Sequence, residues 1–449
     1  MLVFCSFFIL IFLIGYLFWR KQWPLMSFII FFPILPDYFA LPLKGISMTG
    51  SRLLILILFI YFLLHKNKFS RFMTLIKNTF FRITLSFITI IVLINFYHWG
   101  DNSDSGAMIV QIIFEQLLVL SLLALLINTE DKLLYAFKLL SKTSLIISLF
   151  ALIESIFRFN LFYFLKTVES GALQTSYERA GILRAEVGFG HPVYFGFYSV
   201  LLFVTSLFLY KYTKQNIYRI ISIFNILSIF LSGTRGSIVC LIIVVTMILL
   251  FSPSWLNGYY KLIPFLIIIL IITVIINSNI AEYFIDLLKS ILNFFGANYE
   301  ISGFGTNLSG GKSRIAQLSL FEYLRNTDNL LFGLGAKAQV KELIYYKYDG
   351  LWQQSNTYDI GYLSYLGNYG LIGFISYLVY IFLWCFKSFS QYLKSRKSSS
   401  KVISFYFIFF IITYFINLFN SVGINSIFWM ITAFFISYSK SKELKKIEK

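Results

Sequence analysis

From Leu2 to Ser439 the chain is a succession of apolar runs separated by short polar segments. At ~1.5 Å of rise per residue, runs of about 15 to 22 residues extend over ~22–33 Å, the scale of a hydrocarbon layer ~30 Å thick. Within such a layer the backbone must satisfy its own hydrogen bonds, so each run is expected to be a helix. A composition of 58% hydrophobic and only 13% charged residues, with mean hydropathy +0.77, fits the same reading. The expected fold class is an all-α polytopic integral membrane protein.

The formal charge of +18 invites a nucleic-acid partner until its distribution is read. Lys and Arg sit in short segments between apolar runs, the pattern that orients membrane helices, and this excludes nucleic-acid binding as the main role. Cys5, Cys240 and Cys385 each lie inside an apolar run, with no disulfide or metal spacing. The first run, Leu2–Trp19, is followed by its basic flank, Arg20 and Lys21, whereas a cleavable signal carries it ahead. It is read as a retained helix that starts outside.

Candidate spans are 2–19, 25–40, 52–65, 83–98, 107–127, 143–158, 192–210, 218–233, 236–252, 262–279, 360–386, 402–419 and 424–438, which gives about 12 to 13 transmembrane helices. The basic segments Lys66–Arg82, Lys211–Arg219, Lys387–Lys401 and Lys440–Lys449 then share the cytoplasmic side. The other side receives the acidic turn Asp101–Asp104, a loop from about Arg158 to Gly190, the Gly233-Thr234-Arg235 turn and a large loop. The expected organisation is an N-terminal transmembrane bundle (1–279), a large extracytoplasmic loop (280–357), and C-terminal transmembrane helices with a basic tail (358–449). Within the loop, Ile280–Phe295 and Ser313–Leu324 read as amphipathic helices and Gly296–Gly311 as coil.

Gly305–Ser313, GTNLSGGKS, comes near a phosphate-cradling loop. Its first glycine is one residue too far from Gly311-Lys312-Ser313, no strand precedes it, and it lies on the side without nucleotide. The overlapping LSGGK is set aside for the same reason. Only His65, His98 and His191 are available, none at ligand spacing with carboxylates, so no metal and no cofactor is expected. Serine and cysteine nucleophile arrangements are absent as well.

Two groups of residues remain. Asp359 stands where the polar stretch from Gln353 turns into an apolar helix. At 3.6 residues per turn it shares a stripe with Tyr362, Leu363, Leu366, Gly370 and Gly373, whose glycines permit close helix packing. An ionisable group at a membrane boundary is a functional candidate; the same aspartate also suits a helix N-cap. The second group is arginines on the outer side, against the usual charge bias: Arg179 and Arg184 in ERAGILRAEVGFGHP, Arg235 in LSGTRGS, and Arg314 in the large loop. A guanidinium matches phosphate oxygens in a bidentate fork. The plainer alternative is local pairing with Glu178, Glu186 or Glu322, or snorkelling to headgroups. His191, ahead of Pro192 at a helix start, reads either as a substrate contact or as a structural boundary residue. Tyr345, Tyr346, Tyr348, Trp352, Tyr358 and Tyr362 suit sugar faces and membrane interfaces alike.

The ordered set of an outer loop with paired arginines, GHPVYFGFY, LSGTRG, an outer loop carrying LLFGLGAKA, and D-x-G-Y-x-x-x-L-x-x-x-G-L-I-G resembles the O-antigen polymerase and O-antigen ligase superfamily of bacterial membrane glycan enzymes. The likeness covers roughly Arg179 to Leu383. Ligases carry a histidine eleven residues ahead of the glycine at Gly370, where this chain has Asp359, so the resemblance points to a repeat-unit polymerase of O-antigen or capsule type.

The resemblance implies a GT-C-like glycosyltransferase in the bacterial cytoplasmic membrane with its active site outside. It would move glycan from undecaprenyl-diphosphate-linked oligosaccharide to a sugar hydroxyl on another lipid-linked unit, alongside a chain-length regulator protein. In that reaction Asp359 is the expected base. Arg235 and Arg314 are the expected diphosphate clamps, and Arg179, Arg184 and His191 further substrate contacts. An O-antigen ligase and a lipid-linked oligosaccharide flippase are the alternatives. A flippase is expected to place charges near the bilayer midplane, where Glu115 and Glu154 are the main residues of that kind.

Overall fold

The computed structural model describes residues 2–43, 46–64, 68–169, 178–179, 182–251, 285–286, 289, 299, 317–337, 344–348, 351–355, 360–395, 397–418 and 426–447. In chain order the described helices are α1 (Leu2–Trp19), α2 (Trp23–Phe31), α3 (Gly50–Leu63), α4 (Lys68–Ile76), α5 (Thr79–Tyr97), α6 (Ser103–Gln111), α7 (Val119–Leu126), α8 (Glu130–Phe157), α9 (Pro192–Thr213), α10 (Ile217–Leu231), α11 (Arg235–Phe251), α12 (Leu320–Asn326), α13 (Gly361–Lys394), α14 (Ser398–Asn417) and α15 (Ser426–Ile447). A π-helical turn, Ile112–Leu118, joins α6 to α7. The strands form three antiparallel hairpins, β1–β2 (Ala40–Leu43 with Ile46–Thr49), β3–β4 (Glu178–Arg179 with Ile182–Leu183) and β5–β6 (Ile344–Tyr348 with Leu351–Ser355).

Seven helical segments among the described residues are long and apolar enough to cross a membrane: Leu2–Phe31, Thr79–Tyr97, Ser103–Leu126, Glu130–Phe157, Pro192–Thr213, Gly361–Lys394 and Ser398–Asn417. The protein is a mostly helical, multi-pass membrane protein. α3, α10 and α11 are shorter apolar helices, and the span expected at 262–279 lies outside the described residues. The expected span at 25–40 is not continuous. Helix α2 stops at Phe31, ahead of Pro33 and Pro36, and the chain turns instead into the β1–β2 hairpin.

The structure divides into two compact units, each assembled from separated stretches of chain. One comprises Met1–Leu58, Leu134–Asn307 and Lys394–Thr413. Within it α9 is enclosed along nearly its whole length. Small polar side chains tie it to its neighbours. Ser141 Oγ of α8 lies 2.9 Å from Ser206 Oγ, Asn225 Nδ2 of α10 donates to Ser206 Oγ at 3.3 Å, and beside them Ser228 Oγ of α10 donates directly to Ser148 Oγ of α8 at 2.8 Å. Where lipid offers no competing partner, such bonds hold helices together at roughly 0.6–2 kcal/mol each. Phe137 packs beside Phe208 and Tyr406, at 5.4 and 4.8 Å between ring centres.

The other unit comprises Phe59–Leu133, Leu308–Leu393 and Tyr414–Lys449. Its core is aromatic. Phe87 stacks on Tyr380 at 4.8 Å and 6°, and Trp384 lies against Phe80, Phe428 and Phe435. The end of the amphipathic segment expected over Ser313–Leu324 is a 3-10 turn, Gln317–Ser319, running into α12, and residues 313–316 lie outside the described residues. Leu320 and Leu324 of α12 are buried against Leu363 and Leu366 of α13, while Glu322 and Arg325 stay exposed.

Helix α13 is broken at Gly370, whose φ of 62° and ψ of −166° belong to no helix. A continuous helix would bond Leu371 N–H to Gly367 C=O and Ile372 N–H to Asn368 C=O. A loop is inserted between these partners. Leu371 N donates to Leu330 O (2.9 Å) and Ile372 N to Leu331 O (3.1 Å), while Leu334 N donates to Gly367 O (2.8 Å) and Gly335 N to Asn368 O (3.1 Å). All four groups freed by the break find partners in one short segment of the LLFGLG sequence. Gly333, with φ of 75°, passes so close that a Cβ there would meet Asn368 C and Gly370 N at 2.6 Å. The loop's far side is held by the α5–α6 connection. His98 Nε2 lies 3.2 Å from Phe332 O, Asn102 Nδ2 donates to Ala336 O at 3.0 Å, and Ala336 N donates to Ser105 Oγ at 3.3 Å.

Candidate functional site

The first unit gathers three of the expected site residues around the strap that runs from Ile182 to His191. Glu154, near the end of α8, accepts the backbone N–H groups of Glu186 (3.3 Å) and Val187 (2.9 Å). Asn160 Nδ2 donates to Val187 O at 2.8 Å, and Tyr163 OH donates to Glu186 Oε1 at 2.9 Å. The strap therefore lies fixed by side chains that follow α8. Burial pushes the Glu186 carboxyl above the usual carboxylate range, and the hydrogen bonds from Tyr163 and Asn160 pull it part of the way back. Its Oε2 is buried with no hydrogen-bond partner among the described residues.

Arg184 is only 7% exposed and reaches the turn between α10 and α11. Its Nε donates to Ser232 O at 2.9 Å and its Nη2 to Thr234 Oγ1 at 3.1 Å. The strap backbone follows, with Ala185 N donating to Leu231 O at 3.0 Å. Thr234 Oγ1 in turn donates to Pro192 O at 3.3 Å, which sets the start of α9 beside the start of α11. His191 is the N-cap of α9, accepting Val193 N–H on Nδ1 at 3.1 Å, so the neutral ring carries its proton on Nε2. Arg235 is the first residue of α11 and half-buried.

Two helix N-termini, each carrying an effective positive charge of roughly half a unit, thus meet at a corner that also holds Arg184 and Arg235. A cation as the first residue of a helix opposes the helix dipole, so Arg235 gains nothing from the helix it begins. The first N–H groups of α9 are already bonded to His191, Val193 N–H to its Nδ1 and those of Tyr194 and Phe195 to its carbonyl, so what the corner offers an anion is the charge of the two guanidinium groups and the helix dipoles.

The remaining expected residues stand differently. Arg179 lies in the β3–β4 hairpin, its backbone paired with Ile182. Asp359 and Arg314 lie outside the described residues. The start of α13, two residues after Asp359, is anchored by Gly361 N donating to Leu418 O (2.8 Å) and Tyr362 OH donating to Phe415 O (2.7 Å). The glycine stripe needs correction: the helix begins only at Gly361, and Gly370 is the point of its break, not part of a packing seam. Within the large loop expected over 280–357, Ile344–Tyr348 and Leu351–Ser355 form the β5–β6 hairpin. Its register pairs Ile344 with Ser355 and Tyr348 with Leu351.

Of the carboxylates singled out at membrane depth, Glu154 is bonded to the strap and Glu115 accepts Gln111 Nε2 at 3.0 Å. Among the described residues, no group of His, Cys, Asp and Glu has the make-up of a metal site. In comparison with known proteins, no family model matches this chain, and no curated protein matches it.

Proposed function

We propose that this protein is a membrane glycan polymerase that extends a polysaccharide from lipid-diphosphate-linked oligosaccharide units on the outer face of the bacterial cytoplasmic membrane. The observation that carries the reading is the cationic corner of the first unit, where the starts of α9 and α11 meet beside Arg184 and Arg235. A diphosphate borne on a membrane lipid is an anion that would reach such a corner. Arg235 and Arg314 hold the leaving diphosphate, Arg184 fixes the turn that presents Arg235, and Arg179 and His191 contact the rest of the donor.

In the reaction the Asp359 carboxylate takes the proton of an acceptor sugar hydroxyl, and that oxygen attacks the donor's anomeric carbon. The bond from this carbon to the diphosphate oxygen breaks, and its electron pair leaves with the polyprenyl diphosphate. Asp359 then gives up its proton to water. Guanidinium groups placed where charge develops on the diphosphate lower the barrier to that cleavage.

The flippase alternative is less well supported. The backbone groups freed at Gly370, the kind of groups that bind substrates in broken-helix transporters, are all taken by the Leu330–Gly335 loop, and the Glu154 carboxylate is engaged by the strap. Discharge of radiolabelled lipid-diphosphate-linked oligosaccharide by the purified protein tests the donor half directly. Release of polyprenyl diphosphate that requires an acceptor oligosaccharide supports the proposal. Passage of intact donor across a vesicle bilayer, without cleavage, overturns it in favour of transport.

A further inference from the structure

The second unit contains a cavity of ≈ 200 Å³, bounded by α5, α6 with its π-helical turn, the first half of α13, and α15. That is far above the ~10–15 Å³ one water needs and leaves room for a ring-sized polar group. Its lining divides by chemistry. Gln111, Gln116, Ser364 and Asn368 bring hydrogen-bonding groups, Phe87, Tyr365, Tyr369 and Trp429 bring aromatic faces, and Ile88, Ile91, Met108 and Ile112 complete the wall with apolar surface. An isoprenoid or acyl chain has no use for three carboxamides and a hydroxyl. A ring carrying several hydroxyls has, because each amide both donates and accepts and the hydroxyl does the same.

The groups are preset. Tyr365 is backed by Tyr377, on which it stacks at 4.6 Å and 25°, and Trp429 lies near-parallel to Phe87, a second lining ring, at 6.5 Å. Asn368 stands two residues before the break in α13, and its backbone carbonyl is pinned by Gly335 N. Its Nδ2 reaches Ser364 Oγ at 3.4 Å, but its Oδ1 is buried with no hydrogen-bond partner among the described residues. A buried acceptor left unsatisfied is costly, and a donor brought by a ligand into the adjoining cavity is one way to satisfy it. The π-helical turn that carries Gln116 is a second departure from regular helix in the same wall, and such turns occur disproportionately at functional sites.

We infer that this cavity binds one sugar ring of a glycan, with Asn368 Oδ1 accepting from a ring hydroxyl and Gln116 engaging a second. The inference rests on the glycan reading above and extends it by naming a saccharide subsite distinct from the cationic corner. The test uses full-length protein in phospholipid nanodiscs. Saturation-transfer NMR is run against methyl glycosides of hexoses, N-acetylhexosamines, deoxyhexoses and hexuronates.

At least one glycoside is expected to bind the wild type, and Asn368→Leu and Gln116→Leu are each expected to weaken it tenfold or more at unchanged melting temperature. Should leucine at 368 lower the melting temperature, Asn368→Ser keeps a small polar group, shortens the reach to the ring, and is expected to weaken binding likewise. The inference is overturned if no glycoside binds the wild type, or if these variants leave binding unchanged. Polymer formation by the same wild-type sample separates the two claims. Polymer with glycoside binding indifferent to the variants removes the cavity and leaves the proposed function; binding that the variants abolish, with no polymer, keeps the cavity and removes that function.

Discussion

Arg184 and Arg235 look alike in the sequence, two outward arginines a short way from glycines, yet they have different places in the structure. Arg184 is buried and joins the strap to the α10–α11 turn through two hydrogen bonds, whereas Arg235 is half-buried at the start of α11. Lysine keeps the charge at either position but loses the fork. Arg184→Lys is therefore expected to lower the melting temperature, since hydrogen bonds to a charged group are worth roughly 1.5–3 kcal/mol. Arg235→Lys is expected to leave melting near wild type and to reduce polymer formation at least tenfold. Thermal unfolding alongside a polymer-length assay separates them, and the reverse pattern contradicts the assignment.

Glu186 carries a pH prediction whose sign follows from its burial. Its folded carboxyl titrates above the ordinary range, so the stability it contributes is fully present below the unfolded value of ~4.3 and is lost as pH rises through the folded value. Melting temperature measured upward from pH 4 should fall more steeply for the wild type than for Glu186→Gln, the two curves diverging as pH rises. Parallel curves would show that the buried carboxyl does not set this dependence. The sequence could propose Glu186 only as a partner for arginine. Its Tyr163 and Asn160 partners come from the segment beyond α8, and nothing in local spacing announces them.

At the scale of elements, helix existence was readable and helix interruption was not. Apolar runs of near-bilayer length leave few choices, so α5, α9, α13 and α14 fall close to where hydropathy puts them, whereas α8 begins at Glu130, well ahead of the span expected from 143. Gly370 and Gly373 suggested a packing seam because their spacing matches a helix face. The partner that explains Gly370 is a loop more than thirty residues earlier, and only the fold brings Leu330–Gly335 into its hydrogen-bond ladder. A Cβ at 370 would lie 2.3 Å from Leu331 O on a backbone with positive φ. Gly370→Ala is thus expected to cost at least the roughly 1–3 kcal/mol of such strain and to lower the melting temperature by several degrees. An unchanged melting curve would mean the inserted loop is not a stable part of the fold.

For the whole molecule, the charge pattern that orients the helices also predicts which side holds the 280–357 segment. In a background with Cys5, Cys240 and Cys385 replaced, Ser309→Cys should react with a membrane-impermeant thiol reagent in intact cells. Labelling only after disruption would move the site to the cytoplasm and remove the proposed function with it. Asp359, the expected base, is the residue the sequence argued most strongly. Asp359→Asn keeps a capping oxygen, whose loss costs only ~1 kcal/mol, but removes a base worth about 10²- to 10⁴-fold in rate. Expression and melting should stay near wild type while product longer than one repeat disappears.

The most direct measurement is the product formed by the purified full-length protein, alone in phospholipid vesicles, from lipid-diphosphate-linked repeat units and nothing else. The account predicts a ladder of lipid-linked glycans lengthening with time, with polyprenyl diphosphate released once per bond formed. Repeat units recovered unextended under conditions where the protein is folded would contradict it.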